Sequence, residues 1–367
     1  MTAESETVTT ALTRVDGEAG VISIRGYDLA ELVERAGCEE VTFLLWRGYL
    51  PKANELRRLK ADLAEARRLP QPVMDLLATF PKDTHPMTVL RAAVCALGVF
   101  DLDAEGDTDQ DNDAKARHIA AQLPVAAASW LRMREDKAPV DAPAKALQST
   151  AFLHMLRGEA PSADETAHFD RILVILADHG VDTPAAAARL VASTRGDMFA
   201  AIGAGLGALQ GGLHGGAIKS VMETIQRIGT RKKVASQLER MLQKKLRLPG
   251  FGHAVHKQRD PRSALLKPIA AALGSMAKET LWYEIAADLE DAVAGAVPGL
   301  TPNVDFYLAP ALYSLGVPPD AFSAVFACAR VNGLAAHVLE QRASSGWSPA
   351  VRWNGPGPAV WKPLAER

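Results

Sequence analysis

Two histidines in glycine-rich segments are the residues of this sequence best suited to chemistry. His214 lies between two glycine pairs in the segment 211–217, and His253 follows Gly250-Phe251-Gly252. Glycine allows positive φ values and close approach of the backbone to a ligand. Both segments therefore predict turns that present an imidazole ring. The histidines on apolar helices are instead expected to be hydrogen-bonded core residues; these are His85, His118, His154 and His337.

A single carboxylate is a candidate base. Asp305 stands among apolar and aromatic residues in the segment 302–307. Burial disfavours the charged form of a carboxyl group and raises its pKa, so such a group can act as a general base near neutral pH. The alternative is that Asp305 caps the N-terminus of the helix that follows. The sequence leaves both interpretations open.

Two arginines are candidates for binding an anionic substrate. Arg330 lies in an apolar helix, where a guanidinium is costly to bury unless it is paired, and Gly333 is expected to leave room beside it. Arg330 either pairs with a buried acid or binds an anion through two hydrogen bonds. Arg262 stands at a predicted helix start, where the helix dipole favours an anion. The alternative for Arg262 is a solvated charge in the first turn.

Together these residues provide one base, two imidazoles and two guanidinium groups. This set suits a small polycarboxylate substrate and a reaction that enolises one carbonyl compound and adds it to another. His253 and His256 have the spacing of a helical metal pair, but no glutamate follows the first histidine as it does in zinc proteases. We therefore predict that the site holds no metal.

The composition favours an ordinary globular protein and excludes several classes. The 367 residues carry a net charge of −2, which gives no reason to expect a nucleic acid or an anionic membrane as partner. No apolar run reaches the ~18–20 residues of a membrane span. The polar N-terminus is unlike a signal peptide, and three widely spaced cysteines fit a reducing compartment. We therefore expect a cytoplasmic protein.

The hydrophobic pattern predicts a mostly α-helical protein. Only Leu12–Val15 and Val21–Ile24 are predicted to be strands, in one small hairpin. Helical periodicity covers most of the rest, without strand–helix alternation or an internal repeat. Two helices are predicted over 262–273 and 275–293, and a proline is expected to kink or break the helix over 115–133.

The order and spacing of these motifs resemble the citrate synthase family over nearly the full length of the chain. The resemblance implies a mostly α-helical fold of two domains, in a homodimer or higher homo-oligomer. It implies a large domain of residues 1–214 and 314–367 and a small domain of residues 215–313, with a cleft that closes on the substrates. The motifs that carry it are the segments 211–217, 250–255, 260–262 and 303–307 and the helix with Phe326, Arg330 and Gly333.

The resemblance also implies a role for each residue in condensing acetyl-CoA with oxaloacetate to citrate and CoA. Asp305 would remove a proton from the acetyl methyl group, His214 would hydrogen-bond the thioester oxygen, and His253 would polarise the ketone of oxaloacetate. The oxaloacetate carboxylates would bind His179, Arg262, Arg330 and Arg352. The CoA thioester, a substrate rather than a tightly bound cofactor, would contact Leu248, Gly250, Phe251, Gly252 and Lys257.

Two features depart from the family's pattern. His179 is followed by glycine where members usually carry glutamate, and Arg352-Trp353 stands where an arginine–proline step is usual. Arg342 is the other tail arginine that could reach into the partner subunit's site.

Two alternative functions stay open. One is 2-methylcitrate synthase, which uses propionyl-CoA, because one methylene in an apolar pocket is worth only ~1–3 kcal/mol of discrimination. The other is a catalytically silent homologue that binds CoA or a dicarboxylate. The altered tail favours this second alternative, whereas the presence of His214, His253, Asp305 and both arginines argues against it.

Overall fold

The predicted mostly α-helical class is confirmed. A computed structural model describes residues 8–212, 217–344 and 347, and this part of the chain contains sixteen α-helices and one three-stranded sheet. The strands are β1 Thr13–Asp16, β2 Val21–Ile24 and β3 Tyr27–Asp28. The helices are α1 Leu29–Arg35, α2 Cys38–Arg47, α3 Ala53–Ala66, α4 Gln71–Thr79, α5 Pro86–Phe100, α6 Asp109–Met133, α7 Gln148–Arg157, α8 Ala163–Leu176, α9 Thr183–Ser193, α10 Met198–Leu209, α11 Ala217–Ile228, α12 Val234–Gln243, α13 Pro261–Met276, α14 Leu281–Ala296, α15 Val304–Ser314 and α16 Phe322–Arg342.

The small sheet confirms the predicted hairpin. Strands β1 and β2 pair antiparallel, with Thr13 opposite Ile24 and Asp16 opposite Val21, and the short β3 adds to the other edge of β2. The turn between β1 and β2 contacts a distant loop, because the Lys257 N–H donates to the Gly17 carbonyl at 3.0 Å. The hairpin thus supports the loop that carries His253.

The long helix α16 forms the centre of the core. It is buried along most of its length and packs against α2, α5, α6, α8, α9 and α10. By length and hydropathy the segment Pro319–Arg342 could span a membrane, but 94% of its apolar window is buried inside the protein. Such burial identifies α16 as a core helix.

Two details of the helices differ from the prediction. Helix α13 continues through Gly274 to Met276, and the chain turns only before α14. The turn is made by Lys278, with φ of +54°, and by a hydrogen bond from the Glu279 N–H to the Gly274 carbonyl at 2.9 Å. Pro124 lies inside an unbroken α6, so the expected break there is wrong.

Gly333 allows a close approach between two helical segments. A Cβ atom at this position would lie 2.4 Å from the Ala177 carbonyl oxygen and 2.4 Å from Asp178 Oδ1. The nearest neighbours of Gly333 are therefore Ala177 and Asp178, and its expected role beside the Arg330 guanidinium stays a prediction. The glycine brings α16 against the end of α8, where the segment leading to His179 begins.

Replacing Gly333 with alanine should destabilise the protein by about 1–3 kcal/mol, because the backbone at Ala177 cannot yield easily. The matched control is Gly203→Ala in α10, where the new Cβ would meet Val94 and Cys95 at ordinary distances of 3.6 and 3.7 Å. The control should keep or slightly raise stability, since alanine favours helix. Thermal unfolding of both variants measures the difference, and equal melting temperatures would contradict this account of Gly333.

Candidate active site

One large cavity gathers most of the residues predicted to do chemistry. It has a volume of about 950 Å³, and its wall includes His179, His253, Arg262, Asp305 and Arg330. These side chains come from separate parts of the sequence and meet only in the fold. His214 and Arg352 lie outside the described residues, so their predicted roles stay predictions.

Three helices begin at this cavity with side-chain caps. Asp182 accepts a hydrogen bond from the Ala185 N–H at 3.0 Å, Asp260 from the Arg262 N–H at 3.1 Å, and Asn303 from the Asp305 N–H at 3.0 Å. Each cap fixes where its helix starts. The positive ends of three helix dipoles, those of α9, α13 and α15, therefore meet at the cavity, which favours an anionic ligand.

The hydrogen bonds of His253 determine which of its nitrogens carries the proton. The backbone N–H groups of Val255 and His256 both donate to His253 Nδ1, at 3.1 and 3.3 Å. Nδ1 is therefore unprotonated, and in the neutral ring the proton resides on Nε2. The Nε2 atom lies 3.4 Å from Arg262 Nη2. An oxygen atom of a ligand could accept from both groups at once.

Arg262 is buried and paired, so the alternative of a solvated charge is wrong. Asp260, only 1% exposed, accepts from Arg262 Nε and Nη2 at 2.9 Å each. The same carboxylate accepts from the Val304 N–H at 2.9 Å. Asp260 thus fixes the arginine and also the first turn of α15, which carries Asp305.

The Asp305 carboxyl group does not cap a helix. That task belongs to Asn303, whose amide also donates to the Gly252 carbonyl at 2.8 Å. Burial raises the pKa of Asp305 to about 7; Arg262 and Arg247 oppose this shift and Asp260 adds to it. A carboxyl group with this pKa exchanges a proton readily at neutral pH.

Arg330 pairs with an acid and also borders the cavity. Its Nη1 donates to Asp182 at 2.5 Å, its Nε donates to the Leu176 carbonyl at 2.9 Å, and its guanidinium lies 5.0 Å from the centre of the Phe326 ring. The predicted pairing with an acid is thus observed. Anion binding by Arg330 stays a prediction, and its position at the cavity wall is compatible with it.

The segment that carries His179 is anchored by a buried chain of polar side chains. Asp178 accepts from the Gly180 N–H at 3.0 Å and lies 3.2 Å from His337 Nε2. Arg189 Nε donates to His337 Nδ1 at 2.9 Å, which places the His337 proton on Nε2, facing Asp178. Burial alone would raise the pKa of Asp178, but His337 and Arg330 lower it to about 2. The ionised carboxylate therefore holds this segment.

The three histidines of the site are poor metal ligands as arranged. Nitrogen atoms of His179, His253 and His256 lie within 4.8 Å of one another. However, His253 Nδ1 is occupied by backbone donors, so Nε2 holds a proton and offers no lone pair to a metal. Arg262 beside it also opposes a cation. This arrangement supports the prediction of no metal.

The residues predicted to contact CoA fall into two groups. Gly250 and Gly252 line the cavity together with Arg247. A Cβ at Gly250, whose φ is +80°, would lie 2.9 Å from the Phe306 ring, so the backbone there can approach both α15 and a ligand. The other three lie outside the cavity wall: Leu248 and Phe251 are buried in the core and Lys257 is exposed, with Nζ donating to the Ala254 carbonyl.

The tail arginine Arg342 is bound within its own chain. Its Nη1 donates to the Gly196 carbonyl at 2.7 Å, and its Nη2 contacts Asp107. Its side chain is only 8% exposed. Arg342 is thus engaged within its own chain, and the role predicted for Arg352 stays a prediction.

Comparisons with known proteins identify the family of this chain. The family model "Citrate synthase, C-terminal domain" matches residues 3–353. The chain belongs to the citrate synthase family. Its members are acyltransferases.

Individual relatives cover nearly the whole chain. Citrate synthase 2 of Bacillus subtilis is 36% identical over 93% of this chain and 92% of its own length. 2-Methylcitrate synthase of Mycobacterium tuberculosis is 35% identical over 91% of this chain and 84% of its own length. The citrate synthase of Thermoplasma acidophilum, solved with carboxymethyl coenzyme A and oxaloacetate, has a TM-score of 0.89 at 28% identity and covers 98% of this chain and 97% of its own. The fold is thus the helical two-domain fold of citrate synthases.

Three side chains that shape the site of this family member were not predicted from the sequence. Asp260 and Asp182 each precede a helix that starts with proline within two residues, and this capping pattern could have identified both. His256 touches His179 from behind the cavity wall, and its spacing from His253 gave no hint of that contact.

The raised pKa of Asp305 predicts a stability penalty above neutral pH. The unfolded carboxyl ionises near its usual 3.8 and the folded one near 7, so the folded state loses stability as the pH rises through this range. Asp305→Asn should therefore raise the free energy of unfolding by up to about 4 kcal/mol at pH 8 and by only about 1 kcal/mol at pH 4.5. Melting temperatures at the two pH values measure this difference.

The matched control, Asp288→Asn, should change the stability in the opposite direction. Asp288 accepts two hydrogen bonds from Arg231 at 2.7 and 2.8 Å, and these bonds lower its pKa. Asp288→Asn should slightly lower the melting temperature at pH 8. If Asp305→Asn also lowered it there, the assignment of a raised pKa to Asp305 would be wrong.

Proposed function

We propose that this chain is a citrate synthase, which condenses acetyl-CoA with oxaloacetate and hydrolyses the resulting citryl-CoA to citrate and CoA. The observation that carries the proposal is the meeting in one cavity of a carboxyl group with a pKa of about 7, an imidazole with a fixed proton and two buried arginines. Relatives that are citrate synthases over nearly the full length support it.

The oxaloacetate dianion is the ligand that best suits the charge of the cavity. Arg262 and Arg330 would bind its two carboxylates, with His179 as a further donor. His253 would donate its Nε2–H to the ketone and then to the alkoxide that forms at the same oxygen. Because backbone amides fix this tautomer, the donor needs no rearrangement during the reaction.

Asp305 is proposed to remove the proton from the acetyl methyl group. A carbon acid beside a thioester is far weaker than a carboxylic acid, so the enolate must be stabilised as it forms. His214 is the proposed donor to the thioester oxygen. Burial keeps the Asp305 carboxylate poorly solvated, which makes it a stronger base than a surface aspartate.

The acyl group is proposed to be acetyl, with propionyl as the second candidate. Relatives named 2-methylcitrate synthase match the chain at 34–35% identity, about as well as the citrate synthases do. The ratio of kcat/KM for acetyl-CoA to that for propionyl-CoA decides between the two.

We also propose a homodimer in the cytoplasm. The resemblance implied the dimer, and the widely spaced cysteines support a reducing compartment. Sedimentation velocity of the purified chain should show a species of twice the chain mass, and a monomer at micromolar concentration would contradict the dimer.

The activity test is release of CoA thiol. Purified protein should release thiol from acetyl-CoA only when oxaloacetate is present, and kcat/KM should fall about tenfold per pH unit below pH 7 as Asp305 becomes protonated. No release from acetyl-CoA or propionyl-CoA at any pH would disprove the enzyme activity and leave the silent homologue.

Asp305→Asn should reduce turnover by several orders of magnitude and keep oxaloacetate binding, because the amide cannot accept the methyl proton. Asp288→Asn serves as the control and should retain full activity, because Asp288 is a partly exposed residue of α14 that is bound to Arg231. Unchanged thiol release by Asp305→Asn would remove Asp305 as the base.

A further inference from the structure

His256 contacts the site from behind and has no role in the proposed reaction. It is 4% exposed, and its Nε2 lies 3.0 Å from His179 Nε2. The two rings belong to different loops, one after α8 and one before α13. A hydrogen bond between two imidazoles requires that one nitrogen donate and the other accept.

The surroundings of His256 decide which ring donates. His256 Nδ1 is buried and has no hydrogen-bond partner among the described residues. A buried N–H group without an acceptor is rarer and more costly than an unpaired lone pair, so the proton of His256 resides on Nε2. The Asp260 carboxylate, 3.8 Å from His256 Nε2, further favours a proton at that atom.

The proton on His256 Nε2 determines the tautomer of His179. Its Nε2 accepts the proton of His256, so the single proton of the neutral His179 ring must be on Nδ1. Burial and the charges of Arg262 and Arg330 hold the pKa of His179 well below its usual range, which keeps the ring neutral. Nδ1–H is then the one donor that His179 can offer to a ligand in the cavity.

We propose that His256 is a positioning residue that holds His179 in its Nδ1–H tautomer, so that His179 presents a hydrogen-bond donor to a carboxylate of the bound substrate. The inference about the tautomer rests on the contact between the two rings and on their burial, and it holds without a substrate. Its effect on oxaloacetate rests on the proposed function.

Two variants separate the hydrogen bond from the packing. His256→Phe keeps a ring of similar size and removes the donor. His256→Gln keeps a nitrogen donor near the position of Nε2 and should restore the bond to His179. Two-bond proton–nitrogen spectra of histidine-labelled protein report the tautomer, with the His179 signals assigned by their loss in His179→Asn.

In the unliganded protein we expect His179 as Nδ1–H in the natural chain and in His256→Gln. In His256→Phe we expect a smaller population of Nδ1–H, because the hydrogen bond that favours this tautomer is lost while Nε2–H gains no acceptor. A natural chain with His179 as Nε2–H, or an undiminished population of Nδ1–H in a folded His256→Phe, would overturn the proposal. If His256→Phe does not fold, loss of the Nδ1–H tautomer in His256→Gln would also overturn it.

The affinity for oxaloacetate is the second measurement that tests the proposal. Titration calorimetry should show oxaloacetate affinity about 3- to 10-fold weaker in His256→Phe, the effect of one misdirected hydrogen bond, and near-normal affinity in His256→Gln. The KM for acetyl-CoA should not change. The tautomer is measured without substrate, so absence of thiol release would count against the proposed function only. Unchanged oxaloacetate affinity in His256→Phe would refute the effect of His256 on binding.

Discussion

The site depends on one buried ion pair, between Asp260 and Arg262. Burying an isolated guanidinium costs several kcal/mol, and Asp260 compensates for it with two hydrogen bonds in parallel. The same carboxylate also accepts from the Val304 N–H. One side chain therefore fixes both the cation that would bind the substrate and the helix that carries the base. Removing Asp260 would leave a buried charge unpaired and release the start of α15.

This pair also sets the electrostatics of the other groups. Arg262 lowers the pKa of Asp305 and Asp260 raises it. Because these two effects oppose each other, the raised pKa of Asp305 is due mainly to burial. Arg262 and Arg330 both lower the pKa of His179. Positive charge is thus carried by arginines, which cannot lose it, while His179 stays neutral and acts as a directed donor and acceptor. Such a division suits a dianionic substrate, whose binding does not depend on histidine protonation.

Local patterns in the sequence were sufficient for the fold class, the hairpin and most helices, since each rests on the periodicity of a short segment. They failed where tertiary contacts determine the end of a helix or the burial of a side chain. Gly274 suggested a helix end but remains inside α13. Of the histidines expected in the core, His337 is fully buried, whereas His85 caps α5 and the His118 side chain is 43% exposed beside Asp101. For the site, residue type identified Arg262 and Asp305, and the capping pattern could have identified Asp260. The contact of His256 with His179 required the three-dimensional arrangement.

The cavity joins segments that the sequence assigns to different domains. His179 and Arg330 belong to the predicted large domain, and His253, Arg262 and Asp305 to the predicted small one. Two hydrogen bonds cross this predicted boundary beside the cavity, from the Lys257 N–H to Gly17 and between His256 and His179. Both originate in the loop 253–260, so any movement between these domains must carry this loop along or break both bonds. The loop that orients His253 and Arg262 is therefore also the point where closure and substrate binding would be coupled.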